Sequence, residues 1–270
     1  MRIPAAPAEI DQLNRLAMQT DDSAIEVLFT PAEFATLRLR HLGNTTCVVF
    51  DVFRATSTIV TALAQGATEV IPVAEITEAL AIHAQTPNVL LAGERDGLRI
   101  RANLTGSIDF DLGNSPREFT PAVVGGKRIV LSTTNGSRAL RACAHARTVL
   151  AASFLNLKAT ADFLQAHPAK QVLLVCSGTG EEPAYEDVLG AGALASALWP
   201  DSDRLVADSA AVARQIYERH QDDLSSAVKL SRNGRRLLGM PELREDVAWC
   251  LQRDVYSLVT RMENGKVARA

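Results

Sequence analysis

The run Cys47-Val48-Val49-Phe50-Asp51-Val52-Phe53-Arg54-Ala55-Thr56-Ser57-Thr58 decides how this chain is read. Its apolar beginning predicts a buried strand that ends on an acid. An arginine and three hydroxyl residues follow, and Ile59-Val60-Thr61-Ala62-Leu63 continues as a helix with Gly66 as its C-terminal cap. A helix N-terminus offers free N–H groups and partial positive charge to an oxyanion, and Asp51 beside it suits a divalent cation. In isolation, a surface Asp–Arg pair with an ordinary Ser/Thr helix cap explains the same letters.

Outward from this run, strands and helices alternate. Strands are expected at Ile25–Phe29, Glu69–Val73, Asn88–Ala92, Arg128–Leu131, Thr148–Ala152 and Gln171–Cys176, with helices between them and Thr77 as one N-cap. Such alternation implies crossover connections and a three-layer α/β/α fold on a largely parallel, mixed sheet. After Trp199-Pro200 the pattern is helical to about Arg253, and Asn264-Gly265 predicts a closing two-residue hairpin. Residues 1–24 form an N-terminal extension, and 25–270 a single α/β domain.

Ligands of parallel sheets sit outside the carboxyl ends of the strands. Four polar clusters fall there: Asp51/Arg54, Glu94/Arg95, Thr133/Thr134/Asn135 and Glu186/Asp187. The loop Ser132-Thr133-Thr134-Asn135-Gly136-Ser137 has the hydroxyls, amide and pliable backbone of a phosphate cradle, with Arg138 one turn on to add charge. An Asn-Gly turn tip is the plainer alternative. Gly93-Glu94-Arg95-Asp96-Gly97 reads either as a solvated turn or as a metal or anion loop, and Asn114-Ser115-Pro116 as a turn or a phosphate donor.

Other chemistries fail on composition. Ser177-Gly-Thr-Gly-Glu-Glu182 lacks the Lys-Ser/Thr of a P-loop, and Pro183 stands where a dinucleotide fingerprint has a third glycine. Cys176 has no following arginine for a phosphocysteine mechanism, and Glu181 and Glu182 would raise its pKa. Asp51-Val52-Phe53 lacks the second aspartate of the Asp-x-Asp phosphatases. The five histidines cluster nowhere. The 270 residues, 47% hydrophobic and 22% charged, belong to a globular chain. A net charge of -3 argues against nucleic acid or anionic membranes as partners. No apolar run approaches the ~20 residues of a membrane span. The four cysteines are dispersed, no signal-peptide layout opens the chain, and the expected compartment is the cytoplasm. A homodimer would be unsurprising for an enzyme of this size.

Together, the assembled pieces resemble the 2-phosphosulfolactate phosphatase family, magnesium-dependent enzymes of coenzyme M biosynthesis. The matching residues are Asp51-Val-Phe-Arg-Ala-Thr-Ser-Thr58, Gly93-Glu-Arg-Asp-Gly97, Leu112-Gly-Asn-Ser-Pro116 and Thr133-Thr-Asn-Gly-Ser-Arg138. Further along come Glu186-Asp187 with Ala191-Gly192, and Ser231-Arg-Asn-Gly-Arg-Arg-Leu237 with Asp246-Val247. The similarity runs from about Ile25 to the C-terminus. Three departures stand out: a longer Arg99–Asp109 spacer, Asn233 where the family pattern suggests histidine, and no counterpart for residues 1–24.

The resemblance implies a three-layer α/β/α fold, Mg²⁺, and hydrolysis of a phosphate ester on a small, highly anionic acid. In that reading Asp51, Glu94 and Asp187 anchor Mg²⁺ directly or through water, and with Arg54 carry the chemistry. Thr56, Ser57, Arg95, Asn114, Ser115, Thr133, Thr134, Asn135, Gly136 and Arg138 bind substrate or phosphate, with Arg232, Arg235 and Arg236 as further cations. Two alternatives remain at this level: a phosphatase of another phosphorylated hydroxy acid, and a non-catalytic anion-binding or regulatory protein.

Overall fold

The structure is a computed structural model that describes residues 24–86, 88–199 and 206–270. The extension expected over residues 1–24 lies outside the described residues, apart from Ala24.

In chain order the main elements begin with β1 (Ile25–Leu28), α1 (Pro31–Ala35), β2 (Thr45–Phe50), α2 (Ala55–Ala64), β3 (Glu69–Val73) and α3 (Ile76–Gln85). Then follow β4 (Val89–Arg95), β5 (Leu98–Arg99), α4 (Ala102–Thr105), α5 (Pro121–Val124), β6 (Arg128–Ser132) and α6 (Gly136–Ala142). Next are β7 (Thr148–Ala152), α7 (Leu157–Ala166), β8 (Gln171–Cys176), α8 (Tyr185–Leu198) and α9 (Asp208–His220). The chain closes with α10 (Leu224–Ala227), α11 (Arg232–Gly239), α12 (Arg244–Cys250), β9 (Thr260–Glu263) and β10 (Lys266–Arg269). Helix α3 starts one residue before the expected Thr77 cap, with Glu75 at the N-cap and no side-chain capping bond. Among the described residues, no helix is long and apolar enough to cross a membrane.

All six residues of β2 are buried, as a central strand covered on both faces requires. Because side chains alternate along a strand, Val48 and Phe50 pack under α7, α8 and the C-terminal helices. Cys47 and Val49 pack on the other face with residues of α2 and α6. A smaller core joins Val89 and Leu91 of β4 to Ile100 and Phe110. The result is the expected three-layer α/β/α arrangement on a mixed sheet.

The ten strands lie in the order β1-β8-β2-β7-β9-β10-β3-β6-β4-β5. Two parallel groups make up most of the sheet, β1-β8-β2-β7 and β3-β6-β4. The C-terminal hairpin lies between them. Asn264 and Gly265 both take positive φ, 50° and 76°, which is why this dipeptide turns a tight hairpin. β9 runs antiparallel to β7, β10 antiparallel to β9, and β3 antiparallel to β10.

Three reversals in succession put the two parallel groups in opposite sense. This corrects the expectation that the four polar clusters all follow strands of one parallel set. The polar loops of both groups nevertheless meet. A Cβ on Gly136, at the start of α6, would lie 2.7 Å from the Cβ of Ala55 at the start of α2.

Candidate active site

Where the two groups meet, a cleft of about 240 Å³ opens. The β2–α2 turn supplies Asp51, Phe53 and Arg54 to its wall, and the end of β4 with the turn after it supplies Glu94, Asp96 and Gly97. Asn114, the Thr133–Asn135 loop, Thr179-Gly180 after β8, and Asn233, Arg236 and Leu237 of α11 complete it.

The β2–α2 turn is fastened from within. Thr56 Oγ1 accepts from the Asp51 N–H and donates to the Asp51 carbonyl, both at 3.0 Å. Ser57 Oγ donates to the Val52 carbonyl at 2.9 Å, and Thr58 Oγ1 to the Asn114 carbonyl at 2.9 Å. Thr56 and Ser57 are fully buried, so the hydroxyls that the sequence offered for phosphate hold the backbone of the turn. The Phe53–Arg54 peptide bond is cis. Asp51 Oδ1 accepts from the Ala55 N–H at 3.1 Å, while Oδ2 faces Gly136. Arg54 reaches from the turn to the Asp246 carboxylate (2.8 Å) and the Gly97 carbonyl (2.7 Å).

Glu94 ties the turn after β4 to the loop after β6. Its Oε1 accepts from the Thr134 N–H and hydroxyl at 3.1 and 3.0 Å, and its Oε2 from the Gly97 N–H at 2.8 Å. The preceding Gly93 makes this approach possible, since its φ is 152° and a Cβ there would lie 2.2 Å from the Ser132 carbonyl oxygen. Thr133 Oγ1 accepts from the Ser137 N–H at 3.2 Å, starting α6. Arg95 turns away from the cleft, donating to the Ala74 carbonyl, the Ser132 hydroxyl and the Glu94 carbonyl. Arg138 pairs with exposed Glu181 outside it. Ser115 donates to Asp246 at 2.6 Å.

Asp187 sits behind the cleft wall. Its Oδ1 accepts from the Val52 N–H at 2.8 Å, and its Oδ2 from Ser177 Oγ at 3.0 Å and the Gly178 N–H at 3.2 Å. Neighbouring Glu186 is buried and accepts from Asn233 Nδ2 at 2.6 Å, and the same Nδ2 donates to Thr179 Oγ1.

These acids crowd one another. Burial, with the charges of Glu94 and Glu186, pushes Asp51 up to about 6. Burial and the charges of Asp51 and Glu186 hold Asp187 well above the carboxylate range, and burial raises Glu186. An acid cluster of this kind favours a cation. Asn114 Oδ1 and Asn135 Oδ1, both on residues lining the cleft, are buried without a hydrogen-bond partner. Asp51 lines the same cleft, and oxygen donors of these kinds suit a hard divalent cation that keeps most of its water. Among the described residues, no group of three or more His, Cys, Asp or Glu side chains is arranged as a ready metal cage.

Across residues 32–265 the chain matches the sequence model described as 2-phosphosulpholactate phosphatase. It belongs to the 2-phosphosulfolactate phosphatase family. Similar proteins named "Probable 2-phosphosulfolactate phosphatase" include one from Caldanaerobacter subterraneus subsp. tengcongensis. It is 36% identical over 244 residues, covering 89% of this chain and 97% of its own. A relative from Pseudothermotoga lettingae is 40% identical over 236 residues (87% and 94%), and one from Thermotoga maritima 37% over 220 (82% and 90%).

Of the residues expected from sequence, the cleft gathers Asp51, Arg54, Glu94, Asn114, Thr133, Thr134 and Asn135 on its wall, with Gly136 packed against Asp51. Thr56, Ser57, Arg95, Ser115, Arg138 and Asp187 lie off that wall. Thr179 and Gly180, from the loop rejected as a nucleotide loop, and Leu237, from the Ser231–Leu237 motif, line it without having been named as site residues. Nothing in their local sequence separates them from ordinary turn and helix residues.

Proposed function

We propose that the protein hydrolyses the phosphate ester of 2-phosphosulfolactate, giving sulfolactate and phosphate, with Mg²⁺ held in the cleft. One observation carries this reading: Asp51 and Arg54, a buried acid and a buried cation three residues apart, both line a small cleft between two helix starts. Family membership supports the substrate, and the unpartnered oxygens of Asn114 and Asn135 on the cleft that Asp51 also lines support the metal.

Asp51, Asn114 and Asn135 would hold the ion, and Glu94 organises the loop that carries Asn135. The bound ion supplies charge neutralisation at the phosphoryl oxygens and an oriented water. The chain does the rest. Arg54 offers a fixed guanidinium to the phosphoryl oxygens, where charge develops as the ester bond breaks. The first turn of α2 adds its dipole. Arg236, also on the cleft wall, is a cation within reach of a substrate carboxylate or sulfonate. Coenzyme M synthesis and a cytoplasmic setting belong to the same proposal, and the four free, buried thiols support a reducing compartment.

The test is phosphate release from 2-phosphosulfolactate and a panel of phosphorylated hydroxy acids, with Mg²⁺ and with EDTA. Release that needs Mg²⁺ and prefers 2-phosphosulfolactate supports the proposal. Preference for another phospho-acid reassigns the substrate, and no release from any of them overturns the enzymatic reading.

A further inference from the structure

Asp246 carries no role in the reading above, yet its carboxylate is the most completely enclosed charge near the cleft. It is 0% exposed and Arg54 is 3% exposed, and their 2.8 Å ion pair joins residues 192 positions apart in the chain. Asp246 Oδ1 accepts from Ser115 Oγ at 2.6 Å, and Arg117 Nη1 lies 3.6 Å away. Arg54 is held on its other side by the Gly97 carbonyl. One guanidinium is thus gripped by α12 and by the turn after β4, while Asp246 also fixes the loop carrying Asn114. Arg54 lines the cleft and Asp246 does not.

A buried ion pair is a poor device for stability alone, because desolvation cancels most of the attraction. It is an effective device for direction. A free arginine side chain samples many rotamers, and one clamped on two sides presents its remaining N–H groups in a single orientation before substrate arrives.

We infer that Asp246 is a positioning residue that aims Arg54 at the phosphoryl group, acting through Arg54 and not on substrate. This rests on the reading of Arg54 given above, and the experiment separates the two. The variants Arg54→Ala, Asp246→Asn and the double variant are compared in kcat/KM for phosphate release and in equilibrium binding of inorganic phosphate. Folding is checked by circular dichroism.

Arg54→Ala is expected to lose on the order of 100-fold in kcat/KM, and Asp246→Asn on the order of tenfold. The double variant should be no worse than Arg54→Ala, because sites that act as one unit are not additive. Free guanidinium at sub-denaturing concentration should restore activity to Arg54→Ala but not to the double variant, a difference that general loosening would not produce.

Wild-type rates in Arg54→Ala would overturn the phosphate role of Arg54 and this inference with it. An impaired Arg54→Ala combined with additive losses, or with guanidinium rescue that ignores residue 246, would overturn the inference alone. If no residue-246 variant folds, Arg54→Lys decides. A lysine keeps the charge but cannot serve Asp246, Gly97 and the cleft together, so it should fall close to Arg54→Ala, and full activity would overturn the inference.

Discussion

Gly136 presses on Asp51 so closely that a Cβ at position 136 would lie 2.7 Å from Asp51 Oδ2 and 3.1 Å from Asp51 Cβ. The contact joins the start of α6 in one parallel group to the end of β2 in the other, and it fixes where the carboxylate points. Gly136→Ala should push the start of α6 away from Asp51 and the start of α2. We expect a loss of about 1–3 kcal/mol in stability and at least a tenfold fall in phosphate release. Gly239→Ala is the control, since nothing lies within 4 Å of that glycine. Urea titration and steady-state rates on both variants check this, and a neutral Gly136→Ala would show that the two groups can shift apart freely.

Asp187 was expected at the metal, and its geometry suggests a different test. Both of its oxygens already face donors: the N–H groups of Val52 and Gly178 and the hydroxyl of Ser177. Asp187→Asn swaps one acceptor for an amide that points its own N–H at those donors. The expected cost is about 2–3 kcal/mol from the buried groups left unpaired, visible as a lower thermal midpoint with and without Mg²⁺. Should stability hold while the Mg²⁺ requirement rises sharply, Asp187 would be acting chiefly as a ligand.

The acid cluster predicts a pH signature in the metal-free protein. Asp51 titrates at about 6 when folded, against 3.8 as its ordinary value. Between these values the folded chain binds more protons than the unfolded one. The stability from a neutral Asp51 is therefore present below about pH 4 and lost as pH rises through about 6. In EDTA, the melting temperature of the wild type should fall relative to Asp51→Asn across that window, and Mg²⁺ should raise it again above pH 6 by binding the ionised form. Parallel curves for the two proteins would refute the raised value.

Where letters report local physics, the sequence was a good guide. The apolar Cys47–Phe50 run became a central strand, Asn264-Gly265 a hairpin turn, and the polar residues after strands β2, β4 and β6 the wall of a cleft. What stayed hidden depends on pairing between distant segments. No local pattern tells that Thr56 and Ser57 turn their hydroxyls onto the preceding backbone, or that Asp246 lies against Arg54. The place of the hairpin was equally illegible, because a strand's partners are chosen by whatever edges the rest of the sheet leaves open. That choice reversed one half of the sheet, so the polar strand ends come from two groups of opposite sense.

That central ribbon gives the last prediction. Met262 and Val267 are buried in the core beside α2, and Thr260 Oγ1 donates to the Ala151 carbonyl on β7. Arg269 donates to the Leu63 and Ala64 carbonyls, satisfying groups at the C-terminal end of α2, the helix whose other end forms the cleft. Ending the chain at residue 258 would leave the facing edges of β7 and β3 unpaired and that helix end open. Exposed edges of this kind recruit other chains, so the truncated protein should aggregate or lose its cooperative unfolding transition. Arg269→Ala is the gentler variant. It should lower the urea midpoint by an amount equivalent to about 1 kcal/mol while leaving KM close to wild type. A soluble truncated chain with an unchanged midpoint would show that the two parallel groups hold together without the ribbon, through contacts such as Gly136 on Asp51 alone.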